Sequence, residues 1–129
     1  MKLLLDSHVL IAITRNDVKR LGAAIDLLLK STGNETFLSV ASLWELAIKN
    51  RLGKLSLYLP ISEFPDYFTS IGVGLLNISH HHALRELADP PSTNDPFDRL
   101  LLAQCEVEGL RLVTRDRALA KHRLAWRAP

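Results

Sequence analysis

Hydrophobic and polar positions in this chain fall into short, well-separated blocks. "KLLL" (Lys2–Leu5) is apolar on consecutive positions, as expected of a buried strand, and Asp6 ends it. "SHVLIAIT" follows as the first turns of a helix, with Ser7 as its expected cap. From Asp17 to Ser31 the spacing of Leu21, Ile25, Leu28 and Leu29 predicts one amphipathic helix. "TFLSV" (Thr36–Val40) is a second strand, and Ala41 or Ser42 opens a helix that runs to about Leu52, before Gly53. Ile61 to Ile71 reads as a weaker helix, broken or begun by Pro65. "GVGLLNI" (Gly72–Ile78) is a third strand, and His81 to Ala88 a short helix ended by Pro90 and Pro91. A helix over Pro96–Glu108 stops at Gly109, and "LRLVT" (Leu110–Thr114) is a fourth strand. "DRALAK" makes one or two helical turns, and "LAW" (Leu124–Trp126) reads as a last edge strand.

Strands that alternate with helices and are apolar throughout predict an α/β fold. Its sheet should be mainly parallel, of four to five strands, with helices on both faces. In such sheets, sites collect beyond the carboxyl ends of the strands. The expected loops lie around Gly33–Asn34, Gly53–Pro60 and Asp89–Thr93. No repeat or linker divides the chain. Its 129 residues, 47% of them hydrophobic, suit one domain spanning 1–129.

The formal charge of +2 argues against an obligate polyanion coat. The basic residues are nevertheless uneven. Arg111, Arg115, Arg117, Lys121, Arg123 and Arg127 face one acid, Asp116, in the last stretch. That end suits either a phosphate backbone or an ordinary solvated surface. The single cysteine, Cys105, excludes an internal disulfide and a cysteine-based zinc site, and a cytoplasmic location is expected. Asp6 and His8 interrupt the apolar start too early for a secretion signal, and no stretch is long and apolar enough to span a bilayer.

The acidic residues carry the chemistry. In "STNDPFDRLLLAQC" (residues 92–105), Asp95 is a good N-cap, Pro96 suits the first helical position, and Asp98 falls in the first turn. A capped helix alone explains both aspartates, so other residues have to decide whether either belongs to a site. Asp6 directly follows the first strand, and Asp116 lies two residues past the fourth. Glu45 sits early in the helix after the second strand. Asp98 joins them if its helix starts at the same edge, as a return to a parallel strand requires. Glu45 is the only charge in "VASLWELAI" and is expected to be at least partly buried; the alternative is a solvated Glu45–Lys49 pair. Carboxylates aimed at one place repel one another unless a cation lies between them. Oxygen donors without thiols call for Mg²⁺ or Mn²⁺, and the chemistry that fits is phosphodiester hydrolysis.

"LLLDSHVLIA", "SVASLWELAIKNRLGKL", "NDPFDRLLLAQCEVEGLRLVTRD" and the closing "LAW" together resemble the PIN-domain family, specifically the VapC-type toxins of bacterial toxin–antitoxin pairs. The resemblance covers nearly the whole chain. It implies a PIN-like three-layer fold and a Mg²⁺- or Mn²⁺-dependent endoribonuclease, commonly a homodimer, that cuts cellular RNA and is neutralised by a small cognate antitoxin. The family's acidic site carries over onto Asp6, Glu45, Asp98 and Asp116, as catalytic residues and metal ligands. Thr114 matches a polar position near the metal. Ser7 stands where family members often have threonine and keeps the hydroxyl. By this match Asp98 is the site acid, and Asp95 the cap with a possible supporting role.

Other residues are not promoted. His80, His81 and His82 point in different directions on a helix, and only His80 and His82 on a strand could share an ion; surface or capping roles are expected. His8 suits packing or a rim contact. Trp44 and Trp126 are expected to pack, and Lys49, Arg51 and Lys54 either line an RNA path or form a wet helix face. An aspartyl phosphatase would want a second acid two residues after Asp6, where His8 stands, and no glycine-rich phosphate loop with lysine occurs. The remaining rival is a catalytically inactive PIN-like module that binds RNA or protein. Retention of all four acids argues against it.

Overall fold

The computed structural model describes residues 1–129. Four strands form one wholly parallel sheet: β1 (Lys2–Leu5), β2 (Glu35–Ser39), β3 (Val73–Leu76) and β4 (Arg111–Val113), in the order β3-β2-β1-β4. Seven helices flank it: α1 (Ser7–Thr14), α2 (Ala23–Lys30), α3 (Val40–Arg51), α4 (Phe64–Ser70), α5 (His80–Leu84), α6 (Pro96–Glu108) and α7 (Arg117–Ala120).

The side-chain period of two along β1 divides the core between the two faces of the sheet. Leu3 and Leu5 pack with Leu38, Val73 and Val113 against Val9 and Leu10 of α1, Ile25 and Leu28 of α2, and Phe64 and Phe68 of α4. Leu4 and Leu112 face the opposite way, onto Leu101, Leu102 and Cys105 of α6 and Leu119 of α7. The result is the three-layer α/β/α arrangement expected from the sequence. β1 lies between β2 and β4, so the chain segments leaving these three strands emerge side by side at one edge.

Several boundaries differ from expectation. Asp6, not Ser7, caps α1: its backbone is extended and its carboxylate accepts the Val9 N–H at 3.0 Å. Ser39 caps α3 through the Ala41 N–H, so β2 ends one residue earlier than expected and Val40 is already helical. The amphipathic stretch from Asp17 is two elements. A 3₁₀ turn over Val18–Leu21 stops at Gly22, whose φ of 104° breaks the helical run before α2 begins. "LAW" forms only an isolated parallel bridge, Leu112 to Ala125, with Leu112 exchanging backbone hydrogen bonds with Leu124 and Trp126. Trp44 does not pack inside: it is 61% exposed and touches only the ring edge of Phe97 among the aromatics. α6 spans Pro96–Glu108 as read, with Asp95 capping through the Phe97 N–H and Gly109 left-handed at φ 70°.

Polar residues buried in the sheet's carboxyl edge fix the register of α6. Ser39 Oγ donates to Gln104 Oε1 at 2.5 Å across 65 residues, and both side chains are fully buried. His82, buried beside Gln104, accepts the Ser79 N–H through Nδ1 to complete the cap of α5, and its Nε2 meets Glu108. His80 and His81 are exposed and stack on one another, which agrees with surface roles. No helix is long and apolar enough to cross a membrane.

Candidate active site

The strand order brings the carboxyl ends of β1, β2 and β4 together, and a pocket of about 110 Å³ opens there. Its walls carry Asp6, Glu45, Asp95, Asp98 and Asp116, with Ser7, His8, Lys49 and Leu101. All four acids singled out from the sequence are therefore in one place, and Asp95 is there with them.

Local structure fixes these side chains before any ligand arrives. Asp6, Asp95 and Asp116 are the N-caps of α1, α6 and α7, and in each the Oδ1 oxygen accepts a first-turn N–H. Capping occupies one oxygen of each, and at Asp6 the Thr114 hydroxyl engages the carboxylate as well. The positive ends of three helices thus converge where negative charge is concentrated, which lowers the cost of placing it there. Asp98 has no such bond and stands in the first turn of α6. Thr114 is buried at the end of β4, where its Oγ1 accepts the Asp116 N–H at 3.0 Å.

Glu45 is held differently. It is buried, as its apolar neighbours in sequence imply; the Lys49 pair forms as well, but on a buried glutamate and not as the solvated pair of the alternative. Ser7 Oγ donates to its Oε1 at 2.6 Å and Lys49 Nζ to its Oε2 at 2.7 Å. Lys49 belongs to the pocket, and sequence reasoning left it undecided between an RNA path and a wet helix face. The spacing of four from Glu45 was the available signal.

Crowding of acids shows in their protonation. Burial, followed by repulsion from Asp95, Asp116, Glu45 and Asp6, pushes Asp98 up to about 6. Burial also holds Asp6 above the usual carboxylate range, against the opposing pull of the Thr114 hydroxyl and the Val9 N–H. Lys49 is held above its ordinary value, first by its hydrogen bond to Glu45 and also by the charges of Asp95 and Asp98. As the side chains stand, no three acids or histidines are grouped closely enough to hold a metal ion between them. The donor chemistry still fits a hard cation: every free pocket acid offers oxygen, and their mutual repulsion is the cost a cation would remove.

The basic C-terminal stretch lies apart from this pocket. Arg111, Lys121, Arg123 and Arg127 border a separate groove of about 820 Å³ with Met1 and Trp126. Much of its charge is already committed: Arg123 pairs with Asp89 at 2.8 Å and Glu106 at 2.7 Å, Arg111 donates to the Arg123 carbonyl, and Arg127 to that of Lys121.

The PIN domain family model matches residues 3–124, and the chain belongs to that family. Ribonuclease VapC16 from Mycobacterium tuberculosis is 41% identical over 63 residues, a stretch that covers 47% of this chain and 45% of that relative. The match therefore spans less than half of the relative's length. A crystal structure of VapBC2 from Rickettsia felis, bound to a DNA fragment from its promoter, contains a chain that superimposes with a TM-score of 0.61. It is 16% identical, with 97% of this chain and 96% of that one covered, a likeness that speaks to the fold.

Proposed function

We propose that this protein is a VapC-type toxin: an endoribonuclease that uses Mg²⁺ or Mn²⁺ and is restrained by a small antitoxin. One observation carries the reading. Five carboxylates line a single small pocket at the carboxyl edge of a parallel sheet in a PIN-family chain. The local similarity to a ribonuclease of this type, and the fold shared with a chain of a VapBC complex, support it.

Asp6, Asp98 and Asp116 would hold the ion, with Glu45 adding an oxygen. Magnesium is often bound by only one or two carboxylates and keeps several waters, so a closed protein cage is not required. When bound, the ion supplies Lewis acidity for in-line displacement at a phosphodiester. The chain's own residues do the rest. Helix caps hold Asp6 and Asp116 in fixed rotamers, and the Ser7 hydroxyl holds Glu45. Without a cation the pocket would repel a phosphate, so cleavage and cation binding go together. His8, exposed on the rim, and the Lys49 ammonium are the groups placed to meet an incoming RNA backbone.

Expression in cells tests the whole reading. The wild-type chain alone should arrest growth and produce new RNA ends at defined positions. Asp6→Asn should do neither, and co-expression of the neighbouring small gene product should restore growth. A harmless wild-type chain that leaves RNA ends unchanged contradicts both the toxin and the ribonuclease. Growth arrest without new ends would favour the rival, a module that acts by binding.

A further inference from the structure

We propose that Lys49 is a tethered counter-cation, which competes with the divalent ion for Glu45. The inference rests on the metal-dependent reading above and concerns a residue that reading leaves without a role in ion binding.

The geometry is specific. Lys49 is the only lysine or arginine among the residues lining the pocket, against five carboxylates. It extends from α3 one turn after Glu45, and its Nζ sits 2.7 Å from Oε2. The other oxygen, Oε1, is already taken by Ser7. Glu45 thus has each oxygen bonded to a protein partner, while the capping aspartates Asp95 and Asp116 each use only Oδ1. An ion ligated by Oε2 would stand within a few ångströms of the ammonium, where like charges in a partly desolvated site repel by several times their value in water. The two cations therefore exclude one another at that oxygen.

Lys49 can yield. Its side chain is 44% exposed, whereas that of Glu45 is 9% exposed. A lysine stem can swing its ammonium into water while its methylenes stay packed. Without the metal, Lys49 offsets part of the repulsion and keeps Glu45 paired. As the ion enters, Lys49 leaves Glu45 and turns outward, its charge now free for a phosphate of the RNA. The exchange makes metal affinity weaker than the acids alone would give, and it prevents a buried unpaired glutamate in the metal-free state.

The test uses the full chain and MnCl₂ alone, with no RNA. Binding is read by calorimetry, and the melting midpoint is measured in EDTA. Lys49→Met should bind Mn²⁺ about tenfold more tightly and melt earlier in EDTA. Lys49→Arg should stay near wild type in both. Arg51→Met, on the same helix but outside the pocket, should change neither. In a Glu45→Gln background the gain from Lys49→Met should vanish, because the competed oxygen has lost its charge. If Lys49→Met fails to fold without metal, its melting midpoint across a Mn²⁺ titration gives the same affinity. Unchanged or weaker binding by Lys49→Met, with wild-type binding intact, overturns the competition and leaves the metal reading standing. So does a gain that persists in Glu45→Gln. No Mn²⁺ binding by any of these proteins overturns both.

Discussion

Ser7 and Glu45, 38 residues apart, are joined by a 2.6 Å hydrogen bond between buried side chains, with Ser7 Oγ donating to Glu45 Oε1. The bond ties the first turn of α1 to α3, and so ties the exit of β1 to the exit of β2. Ser7→Ala leaves a buried carboxylate oxygen without its donor. It should lower stability by about 1–3 kcal/mol, because an unmet buried acceptor costs its desolvation. Ser7→Thr keeps the hydroxyl and should remain close to wild type. Denaturant melts of the two variants check this, and equal losses in both would show that shape, not the hydrogen bond, matters at this position.

Asp98 and Asp95 should behave differently although both line the pocket. Asp98→Asn should abolish cleavage and, in metal-free protein at pH 7.5, stabilise the fold. The gain is limited to about 1–2 kcal/mol, since Asp98 is only partly buried and solvent screens its neighbours. Asp95→Asn should keep most activity, because asparagine also caps helices well. The reverse pattern, active Asp98→Asn and inactive Asp95→Asn, would mean that the two aspartates exchange roles.

Stability without metal should fall as pH rises. Asp98 is pushed up to about 6 in the fold, above its ordinary value of 3.8, so the folded state binds more protons than the unfolded chain in between. Unfolding free energy therefore declines as pH rises from about 4 to about 6.5, and Asp6, also raised, adds in the same direction. Thermal melts in EDTA should show this decline, and Mn²⁺ should reduce it. Asp98→Asn should flatten much of it.

The last prediction concerns restraint. The same acids that attract a metal should attract a cationic side chain of a partner, and a guanidinium can bridge carboxylates through paired hydrogen bonds. The native protein should co-purify with a small antitoxin that protects the pocket. Hydrogen exchange should slow around Asp6, Glu45, Asp98 and Asp116 in that complex. Protection confined to another face would contradict this mode of block.

The sheet was legible because its strands are apolar on consecutive positions and separated by clear stops at Gly53 and Gly109. Asp6, Glu45 and Asp116 could be placed from the strand ends they follow, and Asp98 from the start of the helix that returns the chain to a parallel strand. What the sequence hid depends on contacts across long distances. Gln104 sits in the apolar run "LLLAQC" and reads as an ordinary helix residue, but its amide is buried against Ser39. Lys49 reads equally as part of an RNA path or of a wet helix face, because nothing local shows that α3 turns this side toward the acids. The cap of α1 was misplaced because Ser7 is as good a cap as Asp6, and only the extended backbone at Asp6 decides between them.

RNA cleavage by the purified chain, free of any partner, is the most direct measurement. A defined RNA is incubated with wild type and Asp98→Asn, in Mg²⁺ or Mn²⁺ and in excess EDTA. Wild type with metal should cut at discrete positions, while EDTA or Asp98→Asn should reduce the rate by at least about a hundredfold, the scale expected when a key electrostatic group is lost. Undiminished cleavage in EDTA, or by Asp98→Asn, would contradict metal-dependent catalysis at the acidic pocket.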